Sequence, residues 1–397
     1  MRNSDGPKKY GTTFAACCAA YVSHAAVVNL TPLLFIPLSW QYGFSYAQLG
    51  ALVLVNFLTQ LAADVGFGVL IDRYGFRLFV VAGHVFMTAG FVFFAAVPRL
   101  PVDPYAGFVA ATLIFSVGGG CMELIISPIV NALPAKEKSA SMSLLHSFYC
   151  WGHVGVALFT TLFIHVFGRA SWPALFMIFA ALPLINTFVF IKCPLAPPVP
   201  SERRSSAASV LRNPMFLIIV AVIIFSGASE ITFAQWTSAF MEDVMELPKI
   251  VGDIAGICVF AAMMGTARTL NGVKGKTKHL RYFMLAGAML AFVCYITVAL
   301  TESPSVGLAA CALCGLGVSL LWPGALSLSA EAFPLAGSWM MAMLAAGGDT
   351  GASIGPYLAG LVADAAGLRA GMLVSSVFPL AVVALLLAYV KMKRAAD

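Results

Sequence analysis

The sequence alternates long apolar runs with short polar segments. Twelve of the apolar runs have the length of about 20 residues that an α-helix needs to cross the hydrocarbon core of a bilayer. We place them at residues 12–38, 46–71, 78–97, 105–133, 139–167, 172–192, 214–241, 250–270, 280–300, 305–332, 336–364 and 369–390. The pattern therefore predicts an all-α membrane protein with twelve transmembrane helices in two pseudo-symmetric six-helix bundles. The halves are residues 1–192 and 214–397, joined by the Pro- and Ser-rich linker 193–213.

Composition supports lipid as the solvent of this chain. Apolar residues make up 60% of the sequence and charged residues only 10%, whereas soluble domains carry about 25% charged residues. The net charge of +6 comes from short basic clusters between the apolar runs rather than from one basic face. We therefore expect a bilayer and a small-molecule substrate as partners, no nucleic acid, and a monomer.

The basic residues also predict the orientation of the helices. With the amino terminus in the cytoplasm, 19 of the 23 Lys and Arg residues fall in inside segments and only Arg99, Arg169, Lys249 and Arg369 fall outside. Cytoplasmic loops of membrane proteins carry such an excess of basic residues. We therefore predict a multi-pass protein of the cell inner (plasma) membrane, with both termini and the linker in the cytoplasm.

The nine cysteines show no spacing typical of a zinc site or a disulfide framework. Cys311 and Cys314 form a CxxC pair, but they lie within a Gly- and Ala-rich apolar run, where Cys packs as a small hydrophobe. We interpret the pair as packing rather than redox chemistry. We expect no metal and no bound cofactor.

The loop after the second apolar run carries a motif. It reads GVLIDRYGFR and contains Gly68, Asp72, Arg73, Gly75 and Arg77. A glycine lets a neighbouring helix approach closely or permits a tight turn. The aspartate can accept charge-assisted hydrogen bonds at a helix end, and the arginines can anchor the loop on the cytoplasmic side.

This loop resembles the G-x-L-a-D-R-x-G-R-R signature of the major facilitator superfamily. The segment GTAR at residues 265–268 resembles a decayed copy in the second half that lacks the acid. The resemblance implies two six-helix bundles, alternating access, and a loop that latches the halves in the outward-facing state.

Four acidic residues lie at membrane depth within the predicted helices. They are Asp64, Glu123, Glu230 and Asp349. An ionisable group in a membrane span is costly and is a functional candidate by default. No Lys or Arg is predicted deep enough to pair with them, and an unpaired buried carboxyl group suits proton uptake and release. Asp64 and Asp349 could instead be structural polar contacts, and Glu230 could be a hydrogen-bonding group of a gate.

Other polar and aromatic side chains extend the list of candidates for substrate or proton binding. His146 and His153 are seven residues apart and share one helix face. A single membrane histidine is more often an interhelical hydrogen-bonding group than a ligand-binding one. The further candidates are His24 and Asn29 near mid-depth in the first helix, and Trp151 and Trp236, whose rings could stack on a sugar.

Two stretches resemble a narrower branch of the superfamily, the fucose–galactose–glucose:proton symporters. The first comprises GGGCME at 118–123 and SLLHSFYCWG at 143–152; the second is GASE at 227–230 followed by Trp236. The resemblance implies a sugar-type substrate, proton coupling, and Glu123 as the carboxylate of the fourth helix. The sequence departs from that pattern in lacking an acid in the first helix and in having Ser143 where an Asn is expected.

The predicted function is secondary active transport by alternating access, as proton-coupled uptake of a sugar or similar small polar organic solute. Proton-antiport efflux of drugs or metabolites is the alternative, because the same fold supports both. Sodium coupling stays open. An enzyme of the bilayer is disfavoured because no nucleophile–base pair or metal cluster is apparent, and a transport-inactive sensor is a further alternative.

The loop motif gives a first testable prediction. We expect Asp72→Asn to lower transport while the protein still folds, because the neutral amide weakens the latch of the outward-facing state. Initial transport rates of the parent and the variant, with folding checked by size-exclusion chromatography, test this. A variant that transports at the parental rate would refute the latch interpretation.

Overall fold

The computed structural model of the chain describes residues 10–133, 138–195, 210–274, 280–333 and 338–396. Within these residues all regular elements are helices. Eleven of the described helices are long and apolar enough to cross a membrane. The helix Ser338–Ala366 is not among those eleven, although its 29 residues also have the length of a span. The predicted all-α membrane fold is confirmed.

Contacts group the helices into two compact units. The first comprises residues 1–37 and 58–200, and the second comprises residues 38–57 and 201–397. The division thus falls within one helix, between Phe57 and Leu58. The predicted domain boundaries around the linker stay a prediction, since residues 196–209 lie outside the described residues.

The first unit contains the first seven helices except for residues 38–57, which belong to the second unit. The seven helices are α1 (Gly11–Asn29), α2 (Phe35–Tyr42), α3 (Tyr46–Tyr74), α4 (Phe76–Ala96), α5 (Pro104–Ala132), α6 (Lys138–Phe167) and α7 (Trp172–Lys192). Residues 38–57 include most of α2 and the first part of α3. The core of the first unit is aromatic: Phe94 stacks on Phe176 with ring centroids 4.1 Å apart, and Trp172 packs edge-on against Phe94. Such rings fill the space between helices with large apolar area.

The loop motif joins α3 to α4. Gly75 has a φ of 78°, in the left-handed region that favours glycine, and α4 begins at the next residue. The guanidinium of Arg77 donates hydrogen bonds to the backbone carbonyls of Phe190, Ile191 and Cys193 at the end of α7. The last carbonyls of a helix have no hydrogen-bond donor within that helix. Arg77 supplies donors to those of α7 and so anchors the start of α4 to the end of α7. The side chains of Asp72 and Arg73, and the surroundings of Gly68, lie outside what the structure describes.

The second unit contains the remaining helices. They are α8 (Pro214–Asp243), α9 (Val259–Lys274), α10 (Leu280–Leu300), α11 (Pro304–Val318), α12 (Leu321–Ala332), α13 (Ser338–Ala366), α14 (Leu368–Ser375) and α15 (Val377–Ala396). A π-helical segment, Gly252–Cys258, leads into α9. Helices α8 and α13 pack backbone to backbone. A Cβ atom added to Gly351 would collide with the carbonyl of Ile224, which shows how closely the two backbones approach. Small residues permit this close approach of membrane helices.

The nine cysteines are all buried and none forms a disulfide. Cys311 and Cys314, the CxxC pair, lie on α11 with their thiols free. Their position is that of small core residues between membrane helices.

A buried ion pair occupies the π-helical segment of the second unit. The Nζ atom of Lys249 lies 2.9 Å from Oδ2 of Asp253 and donates to Oγ of Ser238 at 2.9 Å. Ser238 in turn donates to Oδ1 of Asp253. Both charged side chains are buried, so each depends on the other for compensation of its charge.

This ion pair gives a prediction about stability. Lys249→Met leaves the buried Asp253 carboxylate without its cation, so we expect the free energy of unfolding to fall by about 3 kcal/mol. The matched control is Lys393→Met, which breaks the much more exposed pair of Lys393 and Glu331 and should cost at most about 1 kcal/mol. Denaturation of the detergent-solubilised protein measures both, and equal losses would contradict the account.

Candidate functional site

Polar side chains of three helices converge in the first unit. Nε2 of His24 on α1 lies 2.8 Å from Oε1 of Gln60 on α3, and this hydrogen bond is buried. Asp64 follows Gln60 by four residues and therefore lies on the same face of α3. Glu123 on α5 completes the group: a carboxylate oxygen of Asp64 lies within 4.8 Å of one of Glu123.

The two carboxyl groups form a pair that can hold a proton. Oδ1 of Asp64 is buried and has no hydrogen-bond partner among the described residues. Two carboxylates this close repel each other when both are ionised, and one bound proton removes that repulsion. Gain and loss of a proton would therefore change the charge of this part of the unit.

Two glycines on α5 explain why Glu123 comes so close to α3. A Cβ atom on Gly120 would lie 2.7 Å from the backbone oxygen of Gln60 and 2.9 Å from Cβ of Ala63. A Cβ atom on Gly119 would lie 2.9 Å from Oε1 of Gln60. The helices thus meet backbone to backbone at these positions, and Glu123 lies about one turn further along α5.

Aromatic rings border His24 in the same unit. The ring centroid of Tyr21 lies 6.3 Å from that of His24 and 5.3 Å from that of His146, and Tyr149 lies 5.7 Å from His24. The hydroxyl of Tyr21 also hydrogen-bonds Oγ of Ser127 at 3.1 Å. Rings and hydroxyl groups of this kind can contact both the apolar and the polar faces of a small solute.

The remaining candidates of the first unit are Asn29, His153 and Trp151. Asn29 donates to the carbonyl of Ala25 within its own helix. His153 is buried, and Trp151 is exposed at the surface of the described chain. The structure thus brings together His24, Asp64, Glu123 and His146 among the residues that the sequence singled out.

Sequence reasoning missed Gln60, Tyr21 and Tyr149. Gln60 could have been found from its spacing, since a polar residue four positions before a membrane-buried acid shares its helix face. The tyrosines carry no such signal, because tyrosine is common in membrane helices as an ordinary packing or interface residue.

Glu230 in the second unit has a cationic partner, so the expectation that no Lys or Arg reaches the buried acids is wrong for this residue. Nη2 of Arg268 on α9 donates to both carboxylate oxygens of Glu230, at 2.9 and 2.8 Å. Nε of Arg268 donates to the backbone oxygen of Ser319 at 2.9 Å. Arg268 belongs to the GTAR segment at the end of the predicted span 250–270, and in the structure it lies within α9.

The other two candidates of the second unit are buried. Asp349 on α13 is almost fully buried. Trp236 is buried as well, and its indole N–H donates to the carbonyl of Pro356 at 2.9 Å. In this structure Trp236 presents almost no ring surface on which a solute could stack.

Comparisons with known proteins match the whole architecture. A solved bacterial homologue of the human lysosomal transporter Spinster superposes with a TM-score of 0.79 at 13% identity, covering 98% of each chain. The E.coli fucose:proton symporter superposes with a TM-score of 0.66 at 15% identity, covering 96% of this chain and 99% of that one. Likeness at such low identity shows a shared fold.

Among curated proteins, a relative from Arabidopsis thaliana described as sodium-dependent phosphate transport protein 1, chloroplastic, is 24% identical over 205 residues. That match covers 50% of this chain and 39% of the relative. The chain spans less than half the length of the curated relatives it matches.

The sequence profile of the Major Facilitator Superfamily matches residues 16–340, which is most of the chain. The helical architecture and the solved structures that share it agree with this match. The membership in the superfamily that the sequence predicted is thereby confirmed. This multi-pass membrane protein belongs to the Major Facilitator Superfamily.

Proposed function

We propose that the protein is a secondary active transporter that takes up a small polar organic solute together with a proton. The observation that carries the proposal is the approach of the Asp64 and Glu123 carboxyl groups within 4.8 Å. A proton shared by this pair neutralises charge that is costly within a membrane. Its release to the cell interior would accompany release of the solute, so that proton and solute are transported together.

The surroundings of the pair suit a solute that carries hydroxyl groups. Gln60 and His24 join in a buried hydrogen bond next to Asp64, and Tyr21 and Tyr149 border His24. Hydroxyl groups can both donate and accept hydrogen bonds with such side chains. The solved E.coli symporter with the same fold is described as carrying fucose, which supports a sugar-like solute.

Further parts of the proposal concern location and partners. We infer from the distribution of basic residues that the protein lies in the inner (plasma) membrane with both termini in the cytoplasm, and that it acts as a monomer. No bound cofactor is needed, since the ion gradient supplies the energy. The Arabidopsis relative is described as sodium-dependent. The coupling experiment therefore compares a proton gradient with a sodium gradient.

The coupling experiment uses purified protein in liposomes. An inward proton gradient, and separately an inward sodium gradient, is imposed while radiolabelled fucose, glucose, uridine or phosphate is offered outside. We expect accumulation of a polar solute above its equilibrium level with the proton gradient alone. Accumulation with sodium alone would refute proton coupling, and outward pumping of lipophilic dyes would favour efflux.

Glu123→Gln tests the role of the carboxyl pair. The amide keeps the shape of the side chain and can hydrogen-bond, but it cannot release a proton. We expect the variant to bind and exchange solute while losing accumulation driven by the proton gradient, as measured in the same liposomes. If Glu123→Gln still concentrates solute on a proton gradient, the proton is carried elsewhere, and Asp349 and Asp64 are the next residues to replace.

Gly120→Ala tests whether the distance between the carboxyl groups matters. The added Cβ collides with the backbone of Gln60 and should push α5 away from α3, while both acids remain. We expect coupled uptake to fall at least about tenfold, since displacements near 1 Å can cost up to about a hundredfold. The matched control is Gly155→Ala on α6, where the added Cβ meets no atom within 4 Å; equal uptake by both variants would contradict the prediction.

A further inference from the structure

A membrane span of the second unit is interrupted at its middle. Helix α11 ends at Val318 and helix α12 begins at Leu321. In an uninterrupted helix the carbonyl of Ser319 would accept a hydrogen bond from the N–H of residue 323, but that residue is Pro323, which has no N–H. The interruption therefore leaves a backbone acceptor in need of another donor.

Arg268 supplies that donor. Its Nε atom donates to the Ser319 oxygen at 2.9 Å, and its Nη2 atom binds both oxygens of Glu230. One guanidinium on α9 thus joins the break in the α11–α12 span to an acid on α8. Discontinuous helices in transporters mark sites where polar backbone and charged groups face a solute.

The two charged groups differ in how accessible they are. The side chain of Arg268 is 24% exposed, whereas that of Glu230 is 8% exposed. The cation is therefore the more open member of the pair, and the carboxylate lies behind it. The guanidinium is held from two directions by Glu230 and the Ser319 carbonyl, so its position does not depend on a ligand.

An aromatic side chain adjoins the same break. Trp322 is half-buried; a Cβ atom added to Gly348 would collide with its ring, and one added to Gly227 would lie 3.2 Å from it. Gly227 lies three residues before Glu230, so Trp322 contacts the face of α8 that also carries the acid. A flat ring at this break offers an apolar surface for the carbon skeleton of a solute whose charged group binds the arginine.

We propose that Arg268 binds an anionic group of the transported solute, a carboxylate or a phosphate. Glu230 holds the guanidinium in place and compensates its charge when the site is empty. The proposal rests on the proposed function, since it names the chemical class of the solute. An anion adds charge-assisted hydrogen bonds at the exposed side of the guanidinium that a neutral solute cannot match.

The purified full-length protein in lipid nanodiscs tests this with two matched pairs of probes. Each pair differs by one anionic group: glucuronate against glucose, and glycerol 3-phosphate against glycerol. We expect the parent to bind the anionic member of at least one pair about tenfold to a hundredfold more tightly, the range of hydrogen bonds to a charged partner.

The decisive variant is the double substitution Arg268→Gln with Glu230→Gln, which removes both charges together and so leaves neither unpaired. We expect it to bind both members of a pair with affinities within about twofold, which corresponds to the loss of the charged hydrogen bonds. Arg369→Gln is the matched control: its guanidinium also donates to backbone carbonyls, those of Ala299 and Thr301, and its loss should leave the preference for anions intact.

A purely structural role for Arg268 predicts a different result. The preference would be absent in the parent, or it would persist in the double variant, and either finding would overturn the proposal. Failure of both anions to bind the parent more tightly than their neutral counterparts counts as absence of the preference.

The outcome is separable from that of the coupling experiment. A protein that prefers anions but transports them without regard to the proton gradient retains the Arg268 site and refutes proton coupling. A protein that couples uptake to protons and prefers the neutral probes refutes the Arg268 site alone.

Discussion

A charged or polar group within a membrane is tolerated only where another group of the protein compensates it. The two units of this membrane protein meet that constraint in different ways. In the first unit two acids lie side by side on α3 and α5, and a bound proton would relieve the repulsion between them. In the second unit Arg268 compensates Glu230 and also the carbonyl that Pro323 leaves without a helical donor. The first arrangement can change its charge, while the second keeps a fixed one.

The constraint also explains which parts of the structure follow from the sequence. The helices follow from the lengths of the apolar runs, and the membrane acids stand out because they are rare there. The glycines before Glu123 permit the approach of α5 to α3, since a Cβ at Gly120 has no room beside Gln60. Each of these features depends on residues of a single helix face, and the periodicity of the sequence shows which residues share a face.

Features that depend on how far a long side chain extends could not be predicted from the sequence. Arg268 lies only six residues before the end of α9, and its position near basic residues resembles that of a loop arginine. Its flexible stem nevertheless extends the guanidinium to Glu230 on α8, and such extension along a helix surface is a general property of arginine. Trp236 illustrates the opposite error: motif context suggested a solute-facing ring, but Pro356 offers its carbonyl to the indole within the packed core.

The burial of every cysteine has a practical consequence for following the transport cycle. Thiol reagents attack the thiolate, which forms where water reaches the sulfur, and each of the nine native cysteines is buried. A cysteine introduced at an exposed position should therefore react much faster than the native ones. Fluorescent or spin labels can then report movement at chosen sites in the otherwise native chain, without first replacing residues such as Cys311 and Cys314 whose volumes fill the core.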